Sequence, residues 1–394
     1  PVSLYSIEVE GVDNMIHASN IVVGHVLTKQ PHPDSDHLNL LTVDVKDEIL
    51  NIVCGAPNVE VGQYVIVAKI GCELDGGVIK KSKIRGQESC GMVCSLQELG
   101  IEKKFVDEKY QKGIYYFEEN VEVGTPGAQA LNLADPVIEL GLTPNRGDML
   151  SMLGVAYEMS AVFKRELKPL AFELVRTIDK SVDDVKIEIQ TDGCSAYYGQ
   201  VIKDITLKRS PKWLISRLIA FGIRPINNSV DITNYILGLF GQPLHAFDLD
   251  KTGNHIVVKN AKENEEFVTL DEQVRKLSSS DVMITDGVNN LCLAGVMGGL
   301  ESEVTEATKN ILLEAAVFDP QTIRKTATRL NLHSDASQRY ERGVDVNRTK
   351  LALDYACYLF KELCDATIVN EPGFAGVNHI EDKQIKITCD DVNN

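Results

Sequence analysis

The sequence predicts an α+β protein of several domains, in which a small all-β barrel precedes a larger mixed α/β domain. Its length of 394 residues is typical of two to four domains. Short β-rich runs separated by glycines fill residues 25–120, and such runs over about 100 residues suit a small barrel. After residue 186, strand-like segments outnumber helical ones without regular alternation. This pattern favours a mixed sheet with flanking helices over a doubly wound fold.

The composition is that of an ordinary globular protein, with 44% hydrophobic and 25% charged residues. No apolar run approaches the roughly 20 residues that span a membrane, and the chain starts without a basic and apolar signal segment. We therefore expect a cytoplasmic protein that makes no membrane contact. The nine cysteines are scattered, and they do not form a pair of Cys-x-x-Cys motifs of the kind that binds zinc. We therefore expect reduced thiols and no metal site.

The net charge of −17 argues against a nucleic-acid partner unless positive charge is concentrated locally. Such a concentration occurs in the loop at 80–85, where Lys80, Lys81, Lys83 and Arg85 supply four cations in six positions. Two interpretations stay open from the residues alone: a solvated loop, or a contact to a phosphate backbone.

Hydrophobic periodicity and the residues at segment ends predict the individual strands and helices. Strand-like runs occur at 7–11, 21–24, 43–45, 50–54, 64–68 and 113–117. A strand, a turn and a cap at 139–148 precede a helix whose apolar face runs from Met149 to Phe163. Linker-like segments lie at 120–136 and 165–185. Helices follow after Ser210-Pro211, at about 230–240 and at 346–365, with strands at 255–260, 266–270, 281–285 and 291–296.

The stretch at 311–345 contains the residue that is hardest to explain as packing. Residues 311–313 form an apolar, buried strand that ends on Glu314, and a carboxylate there, followed by the apolar residues 315–318, is chemically out of place. Asp319-Pro320 then starts a helix, and a polar loop at 333–337 follows it. The carboxylate and the loop could converge on a pocket. Alternatively, Glu314 pairs with Arg339 or Arg342 and only stabilises the fold.

Five short sequence motifs, which occur in a fixed order, are more specific than the composition. They are TPNRGD at 143–148, VDITNY at 230–235, GQPLHAFD at 241–248, MGG at 297–299 and DASQRYERGVD at 335–345. Together they resemble the β subunit of bacterial phenylalanyl-tRNA synthetase (phenylalanine–tRNA ligase), over nearly the whole chain. That subunit is about twice as long, so the resemblance implies an N-terminal fragment.

The resemblance implies a division into domains. A small α+β domain would comprise 1–23 and 121–170, with an OB-fold tRNA-binding domain inserted at 24–120. A B3/B4-type editing domain would occupy 186–375, and 376–394 would be a linker and the start of a further domain. The implied partners are tRNA(Phe) and an α subunit in an α2β2 heterotetramer. ATP and Mg2+ would belong to the complete enzyme, and no cofactor is expected here.

The implied activity is hydrolysis of tyrosine wrongly attached to tRNA(Phe), in support of protein biosynthesis. We expect Glu314 to take the hydrogen bond of the tyrosine hydroxyl, because a site built for a hydroxyl rejects the analogue that lacks it. His245 would orient or deprotonate water, although it could instead only cap a loop. Ser334 would keep the hydroxyl that some relatives supply as threonine. No Ser–His–Asp or Cys–His nucleophile is evident, so water would attack directly.

The remaining site residues also come from the resemblance. Ala336 would line the ring, Arg224 would hold the terminal adenosine or its phosphate, and Gly295, Gly298 and Gly299 would let the backbone approach the substrate. The cations at 80–85 would contact the tRNA backbone. By itself the fragment would be at most an aminoacyl-tRNA hydrolase. The alternative is a tRNA-binding and subunit-assembly module without its own catalytic activity.

Overall fold

The computed structural model describes residues 7–381 and 384–393. They form two compact units. The first unit consists of residues 7–141 and 211–225, and the second consists of residues 142–210, 226–381 and 384–393. The mixed α/β class predicted from the sequence is confirmed, whereas the finer division into four domains stays a prediction.

The strands of the first unit are short and mostly antiparallel. They are β1 (Glu8–Asn14), β2 (Ile21–Pro31), β3 (Asn39–Asp44), β4 (Ile49–Cys54), β5 (Tyr64–Lys69), β6 (Glu73–Leu74), β7 (Gly77–Val78), β8 (Ser82–Ile84), β9 (Gln87–Ser89), β10 (Gly91–Val93), β11 (Tyr116–Phe117) and β12 (Pro136–Gly141).

The strands of the second unit form two larger sheets and one hairpin. They are β13 (Lys186–Ile189), β14 (Cys194–Lys203), β15 (Leu244–Asp248), β16 (His255–Asn260), β17 (Glu266–Val268), β18 (Val274–Lys276), β19 (Val282–Thr285), β20 (Asn290–Leu293), β21 (Met297–Gly298), β22 (Ile311–Phe318) and β23 (Thr367–Gly376).

The helices of the described residues follow the strands in the same numbering. They are α1 (Gly127–Ala130), α2 (Met152–Phe163), α3 (Lys212–Ala220), α4 (Asn228–Phe240), α5 (Leu249–Thr252), α6 (Pro320–Leu330), α7 (Asp335–Arg342), α8 (Val346–Cys364) and α9 (Cys389–Asn393). None of them combines the length and the hydropathy that a membrane crossing needs.

The main sheet of the first unit has the strand order β10-β5-β2-β3-β4, and β11 also pairs with β5. Both faces of β5 are buried, since Val65 and Val67 pack in one apolar cluster while Ile66 and Ala68 pack in another. The predicted closed barrel is not confirmed, because no ladder joins β10 to β4 among the described residues.

Two sheets enclose the main core of the second unit. One has the order β15-β22-β14-β23 and the other the order β13-β16-β19-β20-β21. Side chains of β14, β15 and β22 pack with those of β16, β19 and β20 in one buried cluster. All eight residues of β22 are buried, and α8 packs against this strand. A strand covered on both faces explains the nearly continuous apolar run of its sequence.

Two local predictions around the site differ from the structure. The segment predicted as a polar loop at 333–337 mostly belongs to α7, because Ser334 and Ser337 form a reciprocal capping box that starts this helix. The strand predicted over 291–296 ends at Leu293, since Gly295 turns the chain with a φ of +67°. The N-cap predicted at Asp319 is confirmed by its hydrogen bond from the Thr322 N–H.

Candidate functional site

Glu314 lies at the middle of β22 and faces the core between the two sheets. Only 4% of the surface of Glu314 is exposed to solvent. The hydroxyl of Tyr197 on β14 donates a hydrogen bond of 2.7 Å to Glu314 Oε2. The carboxyl group is therefore held inside the second unit by a neutral donor rather than by a cation.

Burial controls the protonation of this carboxyl group. It raises the pKa of Glu314 from the ordinary 4.5 to about 8, although the hydrogen bond from Tyr197 acts in the opposite direction. At neutral pH the group is thus mostly a carboxylic acid, which can donate one hydrogen bond as well as accept others. A buried acid of this kind can exchange hydrogen bonds with a hydroxyl group.

His245 on β15 lies directly opposite Glu314 in the antiparallel ladder between β15 and β22. Side chains at such positions point to the same face of the sheet. Burial lowers the pKa of His245 from 6.5 to about 4, so the imidazole is neutral at pH 7. Its Nε2 is buried and has no hydrogen-bond partner among the described residues. A neutral imidazole with a free nitrogen is the form that can accept a proton from water.

The glycines at 295–299 serve different purposes. A Cβ atom on Gly298 would lie 2.7 Å from His245 Cε1, so the glycine makes room for the imidazole ring. A Cβ atom on Gly295 would lie 2.9 Å from the ring of Tyr340, and one on Gly299 would lie 2.6 Å from the ring of Phe267. The Gly299 N–H donates to the carbonyl of Leu291. Gly298 is therefore the member of this group that adjoins the predicted site residues.

Ser334 and Ala336 lie at the start of α7. The Ser334 hydroxyl donates to the carbonyl of Val296 at 3.1 Å and accepts from the Ser337 N–H. It thus ties the helix to the glycine segment. Ala336 is half-buried, and it shares a helix face with the buried Tyr340 because four residues separate them. The catalytic and substrate-binding roles predicted for these two residues stay predictions.

The structure does not show the alternative interpretation, in which Glu314 forms an ion pair with Arg339 or Arg342. Arg339 instead pairs with Asp335, at 2.8 Å between Nη1 and Oδ1. Arg342 is exposed at the end of α7. Glu314 accepts from Tyr197, so a simple structural salt bridge does not explain why this carboxyl group is buried.

Gln242 and Tyr340 connect the strands that carry His245 and Glu314. The Gln242 Nε2 atom donates to the carbonyls of Pro243 at 3.0 Å and Ala316 at 2.9 Å. The Tyr340 hydroxyl shares its one proton between the carbonyls of Ala316 at 3.2 Å and Pro243 at 3.4 Å. Both side chains are almost fully buried. These four bonds, which we call the strand clamp, fix the end of β22 against the start of β15.

The other predicted substrate residue belongs to a different part of the chain. Arg224 is exposed and lies in the first unit, whereas Glu314 and His245 lie in the second unit. The role predicted for Arg224 stays a prediction.

The predicted tRNA-binding residues form a hairpin in the first unit. The loop expected at 80–85 contains β8, which pairs with β9 through a turn at Arg85 and Gly86. Both turn residues have positive φ, at +46° and +87°. Such values are typical of two-residue hairpin turns, whose backbone twist matches that of the flanking strands. Arg85 Nη1 donates to the carbonyl of Asp34 at 2.8 Å.

The cations of this hairpin face solvent. Lys80, Lys81, Lys83 and Arg85 are all exposed, and Lys81 pairs with Glu88 at 2.7 Å. The hairpin therefore holds exposed positive charges at fixed positions, where the phosphate backbone of a nucleic acid can bind. Binding itself stays a prediction.

A cavity of about 320 Å³ lies in the second unit, and neither Glu314 nor His245 is among its lining residues. Its lining comes from Gly147, Asp148, Ser151, Phe240, Gly241, Gly343, Val344, Asp345 and Arg348. No group of three or more histidine, cysteine, aspartate or glutamate side chains within 7–381 and 384–393 could hold a metal ion. All nine cysteines are free thiols.

Sequence reasoning missed Tyr197, Gln242 and Tyr340. A signal existed for the tyrosines, because a buried phenol usually finds a hydrogen-bond partner and Tyr197 lies in a strand otherwise rich in apolar residues. The register that brings it to Glu314 depends on a bulge between Cys194 and Ala196. Sequence periodicity does not locate such a bulge.

Two segments of the chain match known protein families. Residues 193–365 match the B3/4 domain and residues 21–126 match the putative tRNA binding domain. The chain therefore falls in the class of proteins that combine a segment similar to a tRNA-binding domain with a segment similar to the B3/4 domain.

Curated relatives define the family more narrowly. The β subunit of phenylalanine–tRNA ligase from Halalkalibacterium halodurans is 48% identical over 380 residues, which cover 95% of this chain and 47% of that protein. The Staphylococcus haemolyticus β subunit is 46% identical over 390 residues, which cover 97% of this chain and 49% of that protein. The chain belongs to the phenylalanine–tRNA ligase β-subunit family, and it spans about half the length of these relatives.

A solved structure of an N-terminal fragment of the phenylalanyl-tRNA synthetase β subunit from Pyrococcus horikoshii also matches. It is 15% identical, with a TM-score of 0.32, and the match covers 59% of this chain and 62% of that chain. At this level the similarity supports no argument about the site.

Proposed function

We propose that this chain acts within phenylalanine–tRNA ligase, where it binds tRNA(Phe) and removes tyrosine that has been attached to it in error. The observation that carries the proposal is the pairing of Glu314 with His245 across β15 and β22. One side chain is a buried acid suited to a hydroxyl group, and the other is a neutral base. Recognition of the phenol needs the first capacity, and hydrolysis of the ester at the other end of the tyrosyl group needs the second.

Recognition would depend on the one hydroxyl that distinguishes tyrosine from phenylalanine. Tyr197 already places a phenol 2.7 Å from Glu314 Oε2, so the carboxyl group accepts a phenolic hydrogen bond in its present position. A bound tyrosine would exchange a second hydrogen bond with this group. Phenylalanine would leave the second oxygen, Oε1, without this hydrogen bond, and a buried unpaired polar atom costs binding free energy.

Hydrolysis would proceed by direct attack of water on the ester carbon that links the amino acid to the ribose. The unpartnered Nε2 of His245 would take a proton from the attacking water as the new C–O bond forms. The bond to the ribose oxygen would then break, and that oxygen would receive the proton. Tyrosine and free tRNA are the products, and no covalent intermediate with the protein is required.

The segment 21–126 would supply tRNA binding, as a module of the oligonucleotide-binding barrel type. Its edge strands approach each other, since the Cys90 N–H donates at 2.8 Å to the carbonyl of Asn51 in β4. The exposed hairpin at 80–89 would contact the phosphate backbone. The complete cytoplasmic enzyme would contain an α subunit in an α2β2 assembly. Its ATP and Mg2+ would serve aminoacylation, and no step above depends on either of them.

The test is single-turnover hydrolysis of Tyr-tRNA(Phe) and Phe-tRNA(Phe) by the complete ligase that carries changes in this chain. We expect Glu314→Ala to remove most of the preference for the tyrosine ester. Glu314→Gln should retain part of it at pH 7, because the amide is neutral like the protonated acid. We expect His245→Ala to slow hydrolysis by roughly 10²–10⁴-fold.

Glu301→Ala is the matched control, since Glu301 is an exposed glutamate of the same unit. Circular dichroism spectra would confirm that each variant is folded. If Glu314→Ala and His245→Ala both leave the rates unchanged, the proposed chemistry is wrong. The alternative of a tRNA-binding and subunit-assembly module would then be favoured.

A further inference from the structure

Glu314 is flanked on both sides within its sheet, because β22 lies between β15 and β14. On β15 its direct neighbour is His245. On β14 its direct neighbour is Gly199, and Tyr197 lies two residues further along, opposite Ala316. Residues two apart on a strand share a face. Tyr197 and Glu314 are therefore diagonal neighbours, a spacing that an aromatic and a long side chain can bridge.

The hydroxyl of Tyr197 makes use of this position. It donates to Glu314 Oε2 at 2.7 Å, and the whole tyrosine residue is buried with no exposed surface. Burial and the nearby Glu314 carboxyl raise the pKa of Tyr197 well above 10, so the phenol keeps its proton and acts as a donor throughout the physiological range. The phenol therefore remains able to donate to Glu314 near neutral pH.

This bond has a consequence for the other carboxyl oxygen. A glutamate side chain has several rotatable bonds and loses considerable freedom when it is ordered. With Oε2 engaged by Tyr197, the plane and direction of the carboxyl group are set, and Oε1 is the oxygen left for a further hydrogen bond. A recognition group works best when neighbouring hydrogen bonds fix it before the ligand arrives.

We propose that Tyr197 is a positioning residue that fixes the Glu314 carboxyl group and thereby sets the preference for tyrosine over phenylalanine. The inference rests on the proposed function and deepens it. Tyr197 would touch neither the ester nor the attacking water, and it would act only through Glu314.

A purely structural role for Tyr197 makes a different prediction. Tyr197 also belongs to the main apolar cluster of the second unit, so a structural role would affect both esters alike. Replacement by phenylalanine keeps the ring in this cluster and removes only the hydroxyl. A positioning role then changes hydrolysis of the tyrosine ester and leaves that of the phenylalanine ester unchanged.

The experiment compares kcat/KM for Tyr-tRNA(Phe) and Phe-tRNA(Phe) in the complete ligase with the Tyr197→Phe variant. We expect the ratio of the two values to fall by roughly tenfold to a hundredfold, the usual effect of losing a hydrogen bond to such a group. Tyr198→Phe is the matched control. This neighbouring tyrosine on β14 points to the opposite face, where its ring lies 4.5 Å from that of Phe374, and its variant should keep the wild-type ratio.

The outcomes separate the two proposals. If the wild-type enzyme shows no preference for the tyrosine ester, the proposed function fails and the inference fails with it. If the wild type shows the preference and Tyr197→Phe keeps it, only the role of Tyr197 is overturned. A fall in both rates by the same factor also overturns it. Combined with Glu314→Ala, the Tyr197→Phe change should have no additional effect on the ratio.

A second variant covers the case in which Tyr197→Phe does not fold. Site-specific 3-fluorotyrosine at position 197 keeps the ring and the hydroxyl but makes the phenol a stronger donor. A stronger bond to Oε2 makes the Glu314 acid a better donor at its other oxygen, so we expect the preference for the tyrosine ester to increase. An unchanged or lower preference would contradict the positioning role.

Discussion

His245 and Glu314 lie directly opposite each other on β15 and β22, and burial keeps both side chains uncharged near neutral pH. In water, a glutamate and a histidine would carry opposite charges between about pH 4.5 and 6.5. Here the surrounding apolar core disfavours both charged forms. The pair is therefore a neutral acid beside a neutral base.

The first prediction concerns stability as a function of pH. The pKa of Glu314 rises from 4.5 to about 8 on folding, so between these values the folded state binds more protons and stability falls as pH rises. The pKa of His245 falls from 6.5 to about 4, so between those values stability rises with pH. The two contributions oppose each other from pH 4.5 to 6.5, and the Glu314 contribution remains alone from 6.5 to 8.

Urea denaturation of the wild type and of Glu314→Gln from pH 4.5 to 9 tests this balance. The stability of the wild type relative to the variant should decline by about 1.4 kcal/mol per pH unit up to pH 8 and then level off. Glu301→Gln provides the control, since this exposed side chain should show no such trend. A difference that does not depend on pH would mean that Glu314 is ionised in the folded chain.

The second prediction concerns the space that Gly298 leaves for the imidazole. A methyl group in Gly298→Ala would lie 2.7 Å from His245 Cε1, which is closer than contact allows, so the imidazole ring must shift from its present position. We expect hydrolysis of the tyrosine ester to fall by at least tenfold, and the unfolding free energy to drop by about 1–3 kcal/mol.

Gly76→Ala is the control for this change, because a Cβ atom there would meet no atom within 4 Å. Single-turnover hydrolysis and urea denaturation would be measured for both variants. Full activity in Gly298→Ala would show that the position of the His245 ring is not important for the reaction.

How far the sequence predicts this site depends on the kind of interaction involved. Glu314 could be singled out because a carboxylate in an apolar strand is locally anomalous, and Asp319-Pro320 predicts the start of α6 from local chemistry alone. The pairing of Glu314 with His245 could not be predicted in this way. It depends on a strand register between residues almost 70 positions apart, which is set by tertiary packing.

Helix α7 shows a second limit of prediction from the sequence. The polar residues at 333–337 favoured a loop, yet Ser334 and Ser337 satisfy each other and start a helix. Polar residues of this kind occur both in loops and at helix N-termini, and the surrounding structure determines which of the two forms. In the same way, a row of short strands predicts a β-rich module but does not predict whether its edges pair.

The third prediction concerns the hairpin in the first unit. Lys83 is exposed on β8, and we expect Lys83→Ala to weaken tRNA binding regardless of the tRNA sequence. The slope of log K against log salt concentration should decrease by about one unit or less, since one phosphate contact is lost. Filter binding or fluorescence anisotropy at several salt concentrations would measure it.

Lys103→Ala serves as the control, because Lys103 is an exposed lysine of the same unit that lies outside the hairpin. It should change neither the affinity nor the salt slope. Equal effects of the two substitutions would mean that the hairpin contributes only general charge.

The last prediction concerns the strand clamp, in which Gln242 and Tyr340 donate to the same two carbonyls, those of Pro243 and Ala316. Tyr340→Phe should cost about 1 kcal/mol of stability. Gln242→Met should cost about the same or less, because it also removes a buried Oε1 that has no hydrogen-bond partner among the described residues. Each single variant leaves one donor for the carbonyls, whereas the double variant leaves none, so its cost should exceed the sum by about 0.5–3 kcal/mol. Urea denaturation of the four proteins measures this coupling, and simple additivity would show that the two donors act independently.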